Sequence, residues 1–202
     1  MSLSFLLLFS TVFASREPQD YRFVHERNAA KSVASIALKG DLDSALIKGE
    51  AALRQHPDSA LIRYEMGLAC NRAERINDAI RFYDEALALD PNMVSALFDR
   101  AELHLMNAKA EEAKRDLMQA VSQGANHWGV QLRLAEIAGL ENRNDGMSAH
   151  LIEAVESGFN LKTLSSLGQP WKDWIVDPVK SRIIRRVVLL YAKGELWDQL
   201  QR

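Results

Sequence analysis

A chain of 202 residues with a net charge of −2, 48% hydrophobic and 26% charged residues, has the make-up of an ordinary folded protein. It is long enough to bury about 70% of its unfolded surface without metals or cross-links. The charge is balanced and contains no block of one sign, so the electrostatic footprint of a nucleic-acid binder is missing. Cys70 is the only cysteine, which excludes an intramolecular disulfide and any CxxC metal or redox site.

The chain opens with an apolar run from Leu3 to Ala14 that gives way to Arg16, Glu17 and Pro18. The run is too short for a bilayer span of about 20 residues, but fits the roughly 7 to 15 of a secretory core. Val12 and Ala14 supply small side chains before a cut ahead of Ser15. The expectation is a signal segment over 1–14 and export to a periplasm or the outside. The competing reading is an uncleaved membrane anchor, because no Lys or Arg precedes the run. Residues 15–25 then read as a lead-in.

From Tyr21 to Leu38 an Ala-rich pattern predicts a helix, ended by Gly40-Asp41. Asp41 or Asp43 is placed to cap a second helix, Leu42 to Gln55, which stops before Pro57. The next helices are Ala60 to Ala73 and Ile76 to Leu89, stopped by Asp90-Pro91, then Val94 to Asn107 and Ala110 to Ser122, stopped by Gly124. A fourth pair is weaker: Trp128 to Leu140, a turn at Asn144-Asp145-Gly146, and a helix around Ala149 to Glu156; either the pair packs less closely or its second helix starts late. Beyond Gly158 come Trp171 and Trp174, a break at Asp177-Pro178, and an amphipathic helix in which Val179, Ile183, Ile184, Val187, Val188 and Leu190 alternate with Lys180, Arg182, Arg185 and Arg186. A last turn holds Leu196, Trp197 and Leu200.

These elements repeat. A shift of 34 residues places Ala79 on Ala45 and Ala113, Ala86 on Ala52, Ala120 and Ala154, Gly67 on Ala101 and Ala135, and Pro91 on Pro57. Small residues at fixed offsets mark places where helix axes about 8 to 10 Å apart leave no room for bulk. A constant period of this length is the signature of a helical repeat array.

With Met66-Gly67, Ala79, Tyr83, Ala86 and Pro91 at those offsets, the chain resembles the tetratricopeptide repeat family over about residues 26–158. Arg63 and Cys70 stand where that pattern has large aromatics, and Gly49 where Tyr83 would recur. The resemblance implies an all-α, right-handed helical-repeat solenoid of about four helix-turn-helix pairs (26–59, 60–93, 94–127 and a degenerate 128–158), followed by a helical C-terminal cap over 159–202.

The resemblance also implies a concave face lined by the first helix of each pair. This places Arg27, Ala30, Lys31, Ala34 and Leu61 along it, and gives as partner-binding candidates Tyr64, Leu68, Asn71, Arg72, Phe98, Asp99, Glu102, Arg133 and Glu136, with Leu105 and Leu132 beside them. Apolar and aromatic residues there would hold a protein or peptide segment, and Arg72, Glu102 and Arg133 would set its register. The family's clamp for the acidic tails of heat-shock chaperones is not expected. Its places hold Ala30, Ala34, Glu65, Ser95 and Asp99, and carboxylates repel an acidic tail.

No catalytic or metal-ligating constellation is legible, and no cofactor is implied. His25, His56, His104, His127 and His150 lie more than twenty residues apart, without HExxH, GxSxG or a phosphate-binding loop. Paired carboxylates such as Asp41/Asp43 and Glu111/Glu112 fall at helix starts, where the helix dipole accounts for them. Cys70 reads as a small buried hydrophobe or as a reactive thiol. The tail reads as a cap over the open end of the array, or as a surface resting on an anionic membrane or a second subunit. The function expected is therefore non-enzymatic partner binding or assembly.

Overall fold

A computed structural model describes the backbone of residues 19–125, 127–192 and 195–200. The expected signal segment and its cleavage point lie outside the described residues, as does the side chain of Trp197. Among the described residues every regular element is helical. In chain order these are α1 (Gln19–Ala37), α2 (Leu42–Gln55), α3 (Ala60–Arg72), α4 (Ile76–Leu89), α5 (Val94–Met106), α6 (Ala110–Ser122), α7 (Trp128–Leu140) and α8 (Asn144–Glu156). A 3-10 turn (Leu161–Ser166) follows, then α9 (Trp171–Val176), α10 (Lys180–Tyr191) and α11 (Glu195–Leu200). Two compact units divide the chain, residues 1–96 and 97–202.

The helix starts are set by side chains that take up orphan amides. Asp41 accepts from the Ser44 N–H at 3.0 Å, and the Ser59 hydroxyl accepts from the Ile62 N–H at 3.1 Å. His127 accepts from the Gly129 N–H through Nδ1 at 3.1 Å. Each first helix of a pair ends in a left-handed residue: Gly40 (φ 83°), then Glu74 (57°), Ala108 (57°) and Asn142 (56°). The positions are 34 apart, so the repeat is written in the backbone as well as in the alanines. Only the first copy uses the residue that adopts this conformation without steric cost. Ala108→Gly is therefore expected to stabilise the protein by about 0.5–1 kcal/mol, read as a higher urea midpoint.

In the first unit α1 packs against α2 and α3, and α3 packs against α4. The repeat alanines are its innermost residues, with Ala45, Ala79 and Ala86 each 0% exposed. The notch at Gly67 receives the ring of Tyr83, whose Cε1 lies 2.5 Å from where a β-carbon would stand. Gly49, the residue standing where Tyr83 would recur, is covered by the Met66 thioether in the same way. Large flexible side chains thus fill the spaces that the smallest residues leave open. Cys70 is fully buried, and burial pushes its thiol pKa up, so it packs as a small hydrophobe.

In the second unit Ala101, Ala113, Leu117, Val130, Leu134 and Ile137 form one apolar cluster across α5, α6 and α7. The fourth pair corrects the sequence expectation. Helix α8 begins at Asn144, not near Ala149, because left-handed Asn142 turns the chain early. Met147, Leu151 and Ala154 are fully buried, so this pair packs as tightly as its predecessors.

The C-terminal segment is a cap. Phe159, Leu161, Leu164, Trp171, Trp174, Ile175, Ile184, Val187, Val188, Leu196 and Leu200 join Leu132, Ala135, Ala138, Met147, Leu151 and Ala154 in one core. The Trp174 ring occupies the space where a side chain on Gly139 would stand, and Trp171 packs edge-on against Trp174 with centroids 5.2 Å apart. Asn160 accepts from the Lys162 N–H at 3.0 Å, and Asp177 accepts from the Val179 and Lys180 N–H groups at 3.0 and 2.7 Å. These caps restart helical structure after each break. The stripe expected to be buried splits: Ile184, Val187 and Val188 face inward, whereas Val179 and Leu190 are 52% and 64% exposed.

Candidate functional site

Because α1 and α3 are the first helices of successive repeats and pack side by side, their outward residues share one surface of the first unit. An open groove of about 700 Å³ lies on it. Arg27, Ala30 and Lys31 from α1, and Ala60, Leu61 and Glu65 from α3, form much of its lining. Buried Ala30 has no bulk to obstruct it, while Arg27 and Lys31 are exposed. The Arg27 guanidinium sits 4.8 Å from the centroid of the Phe23 ring, which orients the cation while leaving it wet. Glu26 is held differently, accepting from the Ser59 hydroxyl that also caps α3. One oxygen of this carboxylate therefore supports the wall. The groove thus combines two accessible cations, carboxylates, and the apolar surfaces of Phe23, Leu61 and Met93, a lining suited to an extended or helical peptide segment.

Five of the first-helix positions considered from the sequence line this groove: Arg27, Ala30, Lys31, Leu61 and Glu65. Phe23, Glu26, Asp58, Ala60, Leu89, Asp90 and Met93 were missed. The last three flank Pro91, and Asp58 follows Pro57. The recurrence of those prolines is the signal that would have drawn the inter-repeat turns into the site. Tyr64, Leu68, Asn71 and Arg72 lie outside the groove lining. Tyr64 is half-buried and turns its ring toward Tyr83, with centroids 5.8 Å apart. Leu68 and Asn71 are half-buried, and Arg72, in the last turn of α3, is exposed.

The candidates of the second unit form a separate arrangement on α5 and α7. The Arg133 guanidinium donates to both carboxylate oxygens of Glu102, from Nε at 2.5 Å and from Nη2 at 2.8 Å. Nη1 donates to Glu136 at 2.7 Å. Burial works to lower the Arg133 pKa, but these two carboxylates outweigh it and hold the pKa above its ordinary value. Expected register-setting charges are therefore spent on one another. Glu136 is 8% exposed and Leu132 is 3% exposed, the latter within the cap core, so both are framework in this unit. Phe98 is half-buried against the α5–α7 cluster, and Asp99 is half-buried. Beside them Arg100 makes a two-pronged pair with Asp116, from Nε at 2.8 Å and Nη2 at 2.6 Å, joining α5 to α6.

The histidines of the second unit are built into packing or caps. Burial pushes the pKa of His104 and of His150 below the ordinary 6.5, and His150 Nδ1 shares a 2.9 Å hydrogen bond with Gln131. Among the described residues no group of three metal-ligating side chains comes together. The lowered values carry a definite sign: below pH about 6.5 the unfolded chain binds protons that the folded chain refuses, so stability falls as pH falls. The urea midpoint is expected to drop between about pH 7 and about pH 5, and the drop to shrink in His104→Gln/His150→Gln.

The chain has the tetratricopeptide-repeat fold, an all-α solenoid architecture. No protein-family model matches it, and no curated protein matches it in sequence. It is similar in structure to residues 41 to the end of MamA from Desulfovibrio magneticus RS-1, with a TM-score of 0.64 and 16% identity, over 82% of this chain and 94% of that one. It is similar to YrrB, described as a TPR protein with an unusual peptide-binding site, with a TM-score of 0.64 and 13% identity over 86% and 90% of the two chains. A third similar structure is TTC0263, a thermophilic TPR protein of Thermus thermophilus, with a TM-score of 0.57 and 16% identity over 87% and 97%.

Proposed function

We propose that this chain is a non-enzymatic protein-interaction module or assembly adaptor, working by equilibrium binding of a partner segment. The observation that carries the reading is the open groove of about 700 Å³ on the first unit, with exposed Arg27 and Lys31 beside Phe23, Leu61 and Met93. Peptide recognition on a helical surface draws its affinity from a few apolar or aromatic anchors and its register from charges at the margin. The peptide-binding site named for YrrB, a structure of the same fold, supports this use of the scaffold. The apolar run at the start of the sequence supports export or membrane tethering, and with it a partner in an envelope or secretory compartment.

Arg27→Glu/Lys31→Glu changes two exposed side chains of the groove and is expected to leave the melting temperature unchanged. A pull-down from the native envelope or secretory fraction should lose at least about 90% of the partner, since reversing two marginal charges costs on the order of 2 kcal/mol or more. Full retention by the folded variant would show that the groove is not where the partner sits.

A further inference from the structure

Helix α10 is packed by one face only. Ile184, Val187 and Val188 are fully buried in the cap core, while Arg182, Arg185, Arg186, Leu189 and Leu190 are all exposed. The outward set follows the spacing i, i+3, i+4, i+7, i+8, a continuous stripe along a helix of 12 residues. It is ordered along its length, with three guanidinium groups in the first two turns and two leucines, 53% and 64% exposed, at the end. The same five side chains frame a shallow bed of about 410 Å³. None of the three arginines has a carboxylate partner among the described residues. Lys180, on the same helix, is engaged elsewhere, donating to Asn142 at 3.1 Å and lying over the Trp174 ring.

We propose that the outer face of α10 is a docking surface for an anionic lipid bilayer, with Arg182, Arg185 and Arg186 on headgroup phosphates and Leu189 and Leu190 reaching the hydrocarbon boundary. The charge is complementary, and all three cations are arginine, whose planar fork binds phosphate oxygens two at a time. A lone helix presents a ridge. A folded protein partner would need a matching acidic groove, whereas a bilayer interface deforms around a ridge and supplies phosphate and hydrocarbon a few ångströms apart. Two tryptophans of the tail take no part, since Trp171 and Trp174 are buried at 0% and 6% exposure. Peripheral attachment of this size is weak and holds best with a second element; the apolar run Leu3 to Ala14 is one that the same sequence supplies. The surface is independent of the peptide groove and stands or falls separately from it.

Vesicle flotation of the full chain tests the proposal, comparing phosphatidylcholine alone with a mixture containing about 30% phosphatidylglycerol. Any contribution of the N-terminal run is common to both, so the readout is the anionic increment. Wild type is expected to partition at least about tenfold more strongly onto the anionic vesicles, with the increment erased when salt rises from roughly 0.05 to roughly 0.5 M. Arg182→Glu/Arg185→Glu/Arg186→Glu should lose the increment with an unchanged thermal melt. Leu189→Ser/Leu190→Ser should lower binding about threefold while keeping its salt dependence. Equal partition of wild type onto the two vesicles, or an increment kept by the triple variant, would overturn the proposal. So would arginine-dependent binding to soluble polyglutamate without a vesicle increment, which would reassign the face to an acidic protein.

Discussion

Ending the chain at Gly158 is expected to abolish cooperative folding of the second unit. The deletion strips Leu132, Ala135, Ala138, Met147, Leu151 and Ala154 of the side chains now covering them. At about 1.5–3 kcal/mol for a large apolar side chain, less for alanine, the loss is on the order of 10 kcal/mol. That is comparable with the roughly 5–15 kcal/mol that holds a whole domain folded. The shortened protein should be insoluble, or should bind a hydrophobic dye and melt without a sharp transition. Trp171→Ala is the graded form of the same test, with an expected cost of about 3–5 kcal/mol for emptying a fully buried site. A truncated chain that melts sharply with native near-ultraviolet dichroism would mean that the tail is a detachable element.

The second large effect is expected at Asp116. Its carboxylate is 6% exposed and takes both prongs of the Arg100 guanidinium. Asp116→Ala removes that two-pronged contact from between α5 and α6. Breaking a buried ion pair by removing one partner costs about 3–5 kcal/mol, and the partial access of water to Arg100, 19% exposed, sets the expectation near the lower end of that range. Chemical denaturation checks it, and the double variant Asp116→Ala/Arg100→Met should recover much of the loss, because both charges are then gone. Equal instability of single and double variants would locate the effect in packing.

The helix array is legible in the sequence because its strongest signals are steric and periodic. Ala45, Ala79, Ala86, Ala113, Ala120 and Ala154 are all 0% exposed, as small residues at a fixed period require where helices cross closely. Pro57 and Pro91 follow helix ends that fall where a ring would block the next turn. The start of α8 is misplaced by the sequence reading because Asn144-Asp145-Gly146 looks like a turn when left-handed Asn142 has already made one. Nothing in the residue type distinguishes Ala108 and Glu74 as left-handed, whereas asparagine, as at Asn142, enters this region readily; the 34-residue spacing from Gly40 marks all three. The candidate site is less legible. A repeat pattern says which helix lines a face, but not which charges are engaged, and Glu102, Arg133 and Glu136 bind one another through contacts between residues up to 31 apart. Tyr64 reads as a surface aromatic on its own helix and turns toward Tyr83 only because Gly67 leaves room for that ring.

The central claim is that the groove on the first unit binds a peptide segment, and affinity measured on a selected ligand tests it most directly. A peptide selected from a random library on the folded wild-type protein should bind by calorimetry with a Kd in the micromolar range, and at least about tenfold more weakly to Arg27→Glu/Lys31→Glu. A selected peptide that binds wild type and this folded variant with equal affinity would contradict the account.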